Sequence, residues 1–191
     1  MKRIFVINPG CTSTKVAVYE DETAVWTSDG LHAPEDIEKF TTVAEQYEYR
    51  KDFILNLLKE AGIPLQFDAV IGRGGLLKPL HGGVYAVNEQ MKHDLNHAKH
   101  QHVCNLGCLI ADEIARQCHC PAFMADPVVV DEMMTRARYT GLPFMKRESI
   151  FHALNAKAAS RRYARTVGRK YEDMNLVVAH LGGGICVSAH Y

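Results

Sequence analysis

Asn8, Thr12, Ser13, Thr14 and Lys15 fall within residues 8–15, between an apolar run from Ile4 to Ile7 and a second from Val16 to Tyr19. The pattern predicts two strands joined by a short loop. A hairpin tip needs only one or two turn residues. This one offers an amide, three hydroxyls, an ammonium and Gly10, which lets the backbone approach a ligand closely. Such a set suits a polyphosphate with its magnesium: backbone N–H groups and hydroxyls donate to oxygens, and Lys15 offsets charge. A polar surface turn is the alternative reading of the same residues.

Three further stretches carry chemistry-bearing residues. Asp68 to Ile71 reads as a short strand running into Gly72-Arg73-Gly74-Gly75, then Lys78-Pro79 and His81-Gly82-Gly83, a second glycine-rich loop at a strand end. Ala122 to Ala125 reads as another strand, closed by Asp126-Pro127. A carboxylate at the C-terminal tip of an interior strand is where α/β enzymes place reactive groups; Asp before Pro is also ordinary turn chemistry. His180-Leu181-Gly182-Gly183-Gly184 lies between apolar runs at 175–179 and 185–187, which predicts a second hairpin with a glycine-rich tip. Three glycines exceed what a turn needs, and they let N–H groups face an anion. Two such hairpins facing each other would clamp a nucleotide's phosphates from both sides.

The elements between them predict an α/β fold with a mixed sheet. Residues 24–30 form a candidate third strand, and Pro34-Glu35-Asp36 a helix start. Val43 to Ala61 is the clearest helix, with Tyr47, Phe53, Ile54, Leu57 and Leu58 on one stripe and Gly62-Ile63-Pro64 after it. Asn88 is a good N-cap for a helix from Glu89 to about His97. A further helix is predicted from Val103 to Cys118, and residues 129–137 read as helical. Ser149 reads as the cap of a long helix from Ile150 to about Thr166, carrying His152 and a basic face at Arg161, Arg162 and Arg165. Taken by itself, His152 reads as a partly buried helix residue.

His97, His100, Cys104 and Cys108 follow spacings of three, four and four, which on one helix would share a face suited to zinc. Cys104 and Cys108 also alternate with Leu106, Leu109 and Ile110 as core residues do, and that reading is preferred. The chain has 191 residues, 47% hydrophobic, with 22 basic and 22 acidic side chains. A net charge of zero gives no electrostatic case for nucleic acid or an anionic membrane. No apolar run approaches a membrane span, and only four apolar residues precede Asn8, so no signal peptide is predicted. These features point to a cytoplasmic protein whose six cysteines are thiols.

Two strand–loop–strand hairpins around mixed strands and helices resemble the superfamily of acetate and sugar kinases, Hsp70 and actin. Within it, the chain resembles the butyrate kinase family in five stretches that occur in family order: VINPGCTSTKVAV, IGRGGLLKP with HGGVY, PAFMADPVVVDEM, SIFHALNAKA and VVAHLGGGICVSAH. The resemblance implies a ribonuclease-H-like (actin-like ATPase) domain over residues 1–174. It also implies that residues 175–191 begin a second, nucleotide-binding domain most of which lies outside these residues. It implies phosphoryl transfer from ATP to butyrate or a branched short-chain acid, giving acyl phosphate and ADP, with Mg2+. Little turnover is expected from the 191 residues by themselves. Acetate or propionate kinase is the nearest alternative; a non-catalytic nucleotide-binding module of the actin-like fold is a third.

The residue roles follow from the same resemblance. Asn8 matches the family's magnesium-contacting amide, and Lys15, with Thr12 and Ser13, its nucleotide phosphate contacts. Arg73 matches the arginine that holds the carboxylate or acyl phosphate, Asp126 the catalytic aspartate, and His152 a transition-state histidine. His180, Gly182, Gly183 and Gly184 match the second phosphate loop. The family is homo-oligomeric, with most of its usual interface beyond these residues. Three departures stand out: Cys11 replaces the usual serine, Cys186 and Ser188 alter the second hairpin, and the family's chains are nearly twice as long.

Overall fold

The computed structural model describes residues 1–182 and 184–191. The chain divides into two compact units. The first comprises Met1–Lys78 and Gly83–Ala125; the second comprises Pro79–Gly82 and Asp126–Tyr191.

The first unit contains β1 (Arg3–Pro9), β2 (Ser13–Glu20), β3 (Thr23–Leu31), α1 (Pro34–Ile37), α2 (Gln46–Glu60), β4 (Ala69–Arg73), β5 (Val84–Ala86), α3 (Glu89–Asn96), α4 (Asn105–Gln117) and β6 (Ala122–Ala125). Its six strands form one mixed sheet in the order β3-β2-β1-β4-β6-β5. β1 to β3 make an antiparallel meander, β4 and β6 run parallel to β1, and β5 closes the edge antiparallel to β6.

Strand periodicity decides the core. Phe5, Ile7, Val16, Val18 and Val70 point to one face, where they pack with Ile54 and Leu58 of α2 and Ile110 and Ile114 of α4. α4 lies directly on β4 because two glycines meet there: a Cβ on Gly72 would land on the Gly107 carbonyl, and a Cβ on Gly107 on the Arg73 carbonyl. Asn88 caps α3 as expected, its side chain accepting from the Met91 N–H at 2.8 Å.

The second unit contains α5 (Ala153–Thr166), β7 (Leu176–Leu181) and β8 (Ile185–His190), with short 3-10 turns at Thr135–Arg138 and Tyr171–Asp173. β7 and β8 pair antiparallel, with His180 opposite Cys186. Val177, Leu181, Ile185 and Val187 line the exposed side of this ribbon. Among the described residues no helix is long and apolar enough to cross a membrane.

Three local expectations are corrected. Residues 129–137 are not an α-helix: Leu80 takes the main-chain groups around Val129 and Asp131 (Leu80 N to Val129 O 3.3 Å, Asp131 N to Leu80 O 2.7 Å), and the β-branched run Val128–Val130 suits that extended pairing. Ser149 does not cap α5. Its Oγ donates to the Val130 carbonyl at 2.7 Å, and the helix begins only after His152. His97, His100, Cys104 and Cys108 do not share a helix, because α3 ends at Asn96 and α4 begins at Asn105.

Candidate active site

In the first unit the sheet sets the predicted residues in one row. Asn8 faces Lys15 in the β1–β2 register, and Lys15 faces Asp29 across β2–β3. On the other side of β1, Arg73 ends β4 and its Nη1 donates to Asn8 Oδ1 at 3.2 Å. Strand alternation puts Asn8, Lys15 and Arg73 on the sheet face opposite the core. The Gly72–Gly107 contact and the hydrogen bond from Leu76 N to Asn105 Oδ1 (2.9 Å) hold the strand end that carries Arg73.

Lys15 is paired rather than free. Its Nζ lies 2.8 Å from Asp29 Oδ2, and both side chains are more than half exposed. Hydrogen bonds from Lys15 first, then from Ser13, hold the Asp29 carboxyl below its ordinary range. Thr12 is exposed at the loop tip, beside an exposed Cys11. The Gly10 N–H is used inside the turn, donating to Ser13 O at 2.7 Å. Cys11 Sγ lies 3.8 Å from His102 Nε2. The Cys104 N–H donates to His102 Nδ1 at 3.2 Å, which leaves Nε2 as the protonated nitrogen facing Cys11. Burial, then the Arg73 charge, lowers the His102 pKa, so the ring is neutral near pH 7.

A layer behind this loop was not legible as a site. Arg50, His32, Thr14 and Gln46 are all buried. Arg50 Nη1 lies 3.1 Å from both Thr14 Oγ1 and His32 Nε2, and Nη2 donates to the Cys11 carbonyl at 3.3 Å. Burial, then Arg50, pushes the His32 pKa down to about 4. The one sequence signal was a charged residue at position 50 in register with Gln46, Ile54 and Leu58 on the buried side of α2.

In the second unit the structure brings His152 and His180 together. Their rings stack with centroids 3.9 Å apart and planes 14° from parallel. Asn155 Nδ2 sits 3.1 Å from His180 Nδ1, an amide donor that selects the Nε2–H tautomer. Gly182 and Gly184 flank the pair: a Cβ on Gly182 would lie 3.2 Å from His180 Nε2, and one on Gly184 3.9 Å from His152 Cε1. Gly183 lies outside the described residues.

Asp126 heads a separate cluster in the same unit. Its φ of 34° is in the left-handed region, a strained backbone for a residue with a side chain. Its carboxylate lies 3.7 Å from Lys157 Nζ and 3.8 Å from Arg161 Nη1. Lys157 is nearly buried and pairs more closely with Glu132, at 2.7 Å. Burial opposes ionisation of Glu132, but hydrogen bonds from Lys157 and the Gly82 N–H prevail and lower its pKa. A side chain at position 82 would displace this cluster, since its Cβ would fall on the Lys157 ammonium and 3.0 Å from Asp126 Oδ1.

No protein-family model matches the chain. A probable butyrate kinase of Phocaeicola vulgatus is 64% identical over 188 residues, which are 98% of this chain and 53% of the relative. Butyrate kinase 1 of Clostridium acetobutylicum is 50% identical over 192 residues, 100% of this chain and 54% of the relative. Among solved structures, the acetate kinase of Porphyromonas gingivalis superposes with a TM-score of 0.69 at 16% identity, over 99% of this chain and 55% of that one. The chain thus spans about half the length of the relatives it matches. Its fold is acetate-kinase-like, and by sequence the chain is similar to the N-terminal part of proteins named butyrate kinase.

Proposed function

We propose that the chain forms the acid-binding side of a short-chain carboxylate kinase that transfers a phosphoryl group from ATP to butyrate or a branched short-chain acid. The observation that carries this reading is the row of Asn8, Lys15 and Arg73, with Arg73 fixed to Asn8 at 3.2 Å. A carboxylate acceptor is already ionised at neutral pH, so the reaction needs no strong base. Its difficulty is holding two anions together while charge spreads over the transferred oxygens.

Each residue answers part of that difficulty. The Arg73 guanidinium presents a planar fork to a carboxylate or acyl phosphate, and Asn8 orients it. Lys15, on the next strand, offers an ammonium to the nucleotide's phosphates once it turns from Asp29. The Nε2–H of His180 and the stacked ring of His152 supply donors beside the Gly182 and Gly184 backbone. Asp126, between Lys157 and Arg161, serves as an orienting carboxylate rather than a proton acceptor.

Magnesium fits these residues as an ion arriving with the phosphates. Asn8 supplies one amide oxygen, and among the described residues no group of three His, Cys, Asp or Glu side chains is spaced to hold a metal. When bound, the ion would neutralise charge on the β- and γ-phosphate oxygens.

Calorimetric titration with ATP–magnesium, butyrate and acetate tests the reading, together with hydroxylamine trapping of acyl phosphate. Saturable binding of ATP and of butyrate in preference to acetate is expected, with slow product formation by the 191 residues alone. Absence of binding by butyrate and acetate alike would overturn it. Preference for acetate would favour the acetate kinase alternative.

A further inference from the structure

Arg50 is 1% exposed and is the largest fully buried side chain among the described residues. Its donors are spent on neutral acceptors: Nε on Gln46 Oε1 at 2.9 Å, Nη1 on Thr14 Oγ1 and His32 Nε2, and Nη2 on the Cys11 carbonyl. Among the described residues no carboxylate lies within ion-pair distance of it. A buried cation without an anion is costly, and such charges are normally paired. His32 does not add a second charge, because burial and Arg50 together keep it neutral above about pH 4.

The position of Arg50 explains what such a charge is for. The Cys11 carbonyl points at Nη2, and the Thr12 carbonyl accepts the His32 N–H at 3.0 Å. In a trans peptide the C=O and the following N–H point in opposite directions. The Thr12 N–H therefore points away from Arg50, and the Ser13 N–H away from the His32 backbone. The Thr12 amide is thus turned away from the core because Arg50 holds the carbonyl of the same peptide, while the Ser13 N–H lies on the side of the turn where Ser13 O accepts from Gly10 N–H. A main-chain N–H held facing away from the core is a donor for an anion at the loop tip.

We propose that Arg50 is a positioning residue for the first anion loop, and that a bound phosphate group is the counter-ion its buried charge lacks. The inference rests on the proposed kinase function. It adds that the loop's affinity depends on a residue that never touches the ligand.

Titration of the wild-type chain, Arg50→Met and Arg50→Lys with ATP–magnesium and with inorganic phosphate tests this, by calorimetry and by unfolding temperature with and without ligand. Arg50→Met should bind ATP at least tenfold more weakly, and ATP should raise its unfolding temperature less than that of wild type. Arg50→Lys, which restores charge but not the fork, should recover part of the affinity. A purely structural Arg50 would lower the ligand-free unfolding temperature but leave the dissociation constant unchanged, and that result overturns the inference alone. If wild type binds neither ligand, the kinase reading fails and the inference with it. Should both variants fail to fold, amide NMR of wild type decides. Phosphate should shift the Thr12 N–H resonance most, and a resonance that stays in place would refute the assignment.

Discussion

Arg73 Nη1 donates to Asn8 Oδ1 at 3.2 Å, joining two residues 65 positions apart in the chain. Parallel pairing of β1 with β4 makes this contact, since it brings both strand ends to the same edge of the sheet. The hydrogen bond uses one nitrogen of a guanidinium that has several, and it holds the plane of the group. Arg73→Ala should weaken butyrate or acyl phosphate binding about 10- to 100-fold, the range for removing a charged hydrogen-bond donor. Asn8→Ala should weaken it less, and the double variant should lose less than the sum, because the residues touch. Calorimetry on the cycle checks this; strict additivity would mean that Asn8 does not orient Arg73.

Asp29 holds Lys15 in an exposed pair at 2.8 Å. Such a pair adds little to stability, so Asp29→Asn should leave the urea midpoint nearly unchanged. It removes a negative charge beside the loop and frees the ammonium. ATP should then bind about threefold more tightly at low salt, with the gain shrinking as salt rises. Weaker binding in Asp29→Asn would show instead that Asp29 aims Lys15 at the ligand.

His32 sets a pH window. Its pKa is about 4 in the folded protein, lowered by burial first and by Arg50 second, against an ordinary value of 6.5. Between these values the unfolded chain binds more protons, so stability rises with pH there. The contribution is complete above the ordinary value and is lost as pH falls toward the folded one. Urea midpoints should decline across this interval, and His32→Asn should flatten the decline. An unchanged slope in the variant would assign the acid sensitivity to other groups.

Gly72 acts as a spacer between helix and strand. Because an added Cβ would meet main-chain atoms of Gly107 and Cys108, the neighbours cannot yield by a rotamer change. Gly72→Ala should destabilise the fold by about 3 kcal/mol. It should also weaken anion binding, since Arg73 is the next residue. Denaturation and calorimetry measured together separate the two effects; a variant as stable as wild type would mean that α4 shifts without strain.

Much of this was readable from residue order because it rests on local physics. The first hairpin, the strand at Ala122–Ala125 and the Asn88 cap follow from apolar runs bounded by turn residues and one capping side chain. The resemblance singled out Arg73, Asp126 and His152, residues that no spacing rule would have marked. What sequence could not give was partnership. Residues 129–137 read as helical, yet Leu80 pairs with the main chain around Val129 and Asp131. Ser149 has the chemistry of a cap, yet its hydroxyl is taken by Val130. Arg50 sits on an apolar stripe and reads as a charge out of place until its acceptors, 36 and 39 residues earlier, come into view.

The β7–β8 ribbon has two unlike sides, with His180, Cys186, Ser188 and His190 on one and Val177, Leu181, Ile185 and Val187 on the other. Side chains alternate with every residue along a strand. One residue inserted between Leu181 and Ile185 would therefore reverse the sides of β8 if the strand absorbed it by slipping its register by one. Ile185 and Val187 would then stand beside His180, and Ser188 and His190 among the aliphatics. A longer loop that kept His180 opposite Cys186 would leave both sides intact, so an insertion is neutral to the ribbon only where the loop takes it up.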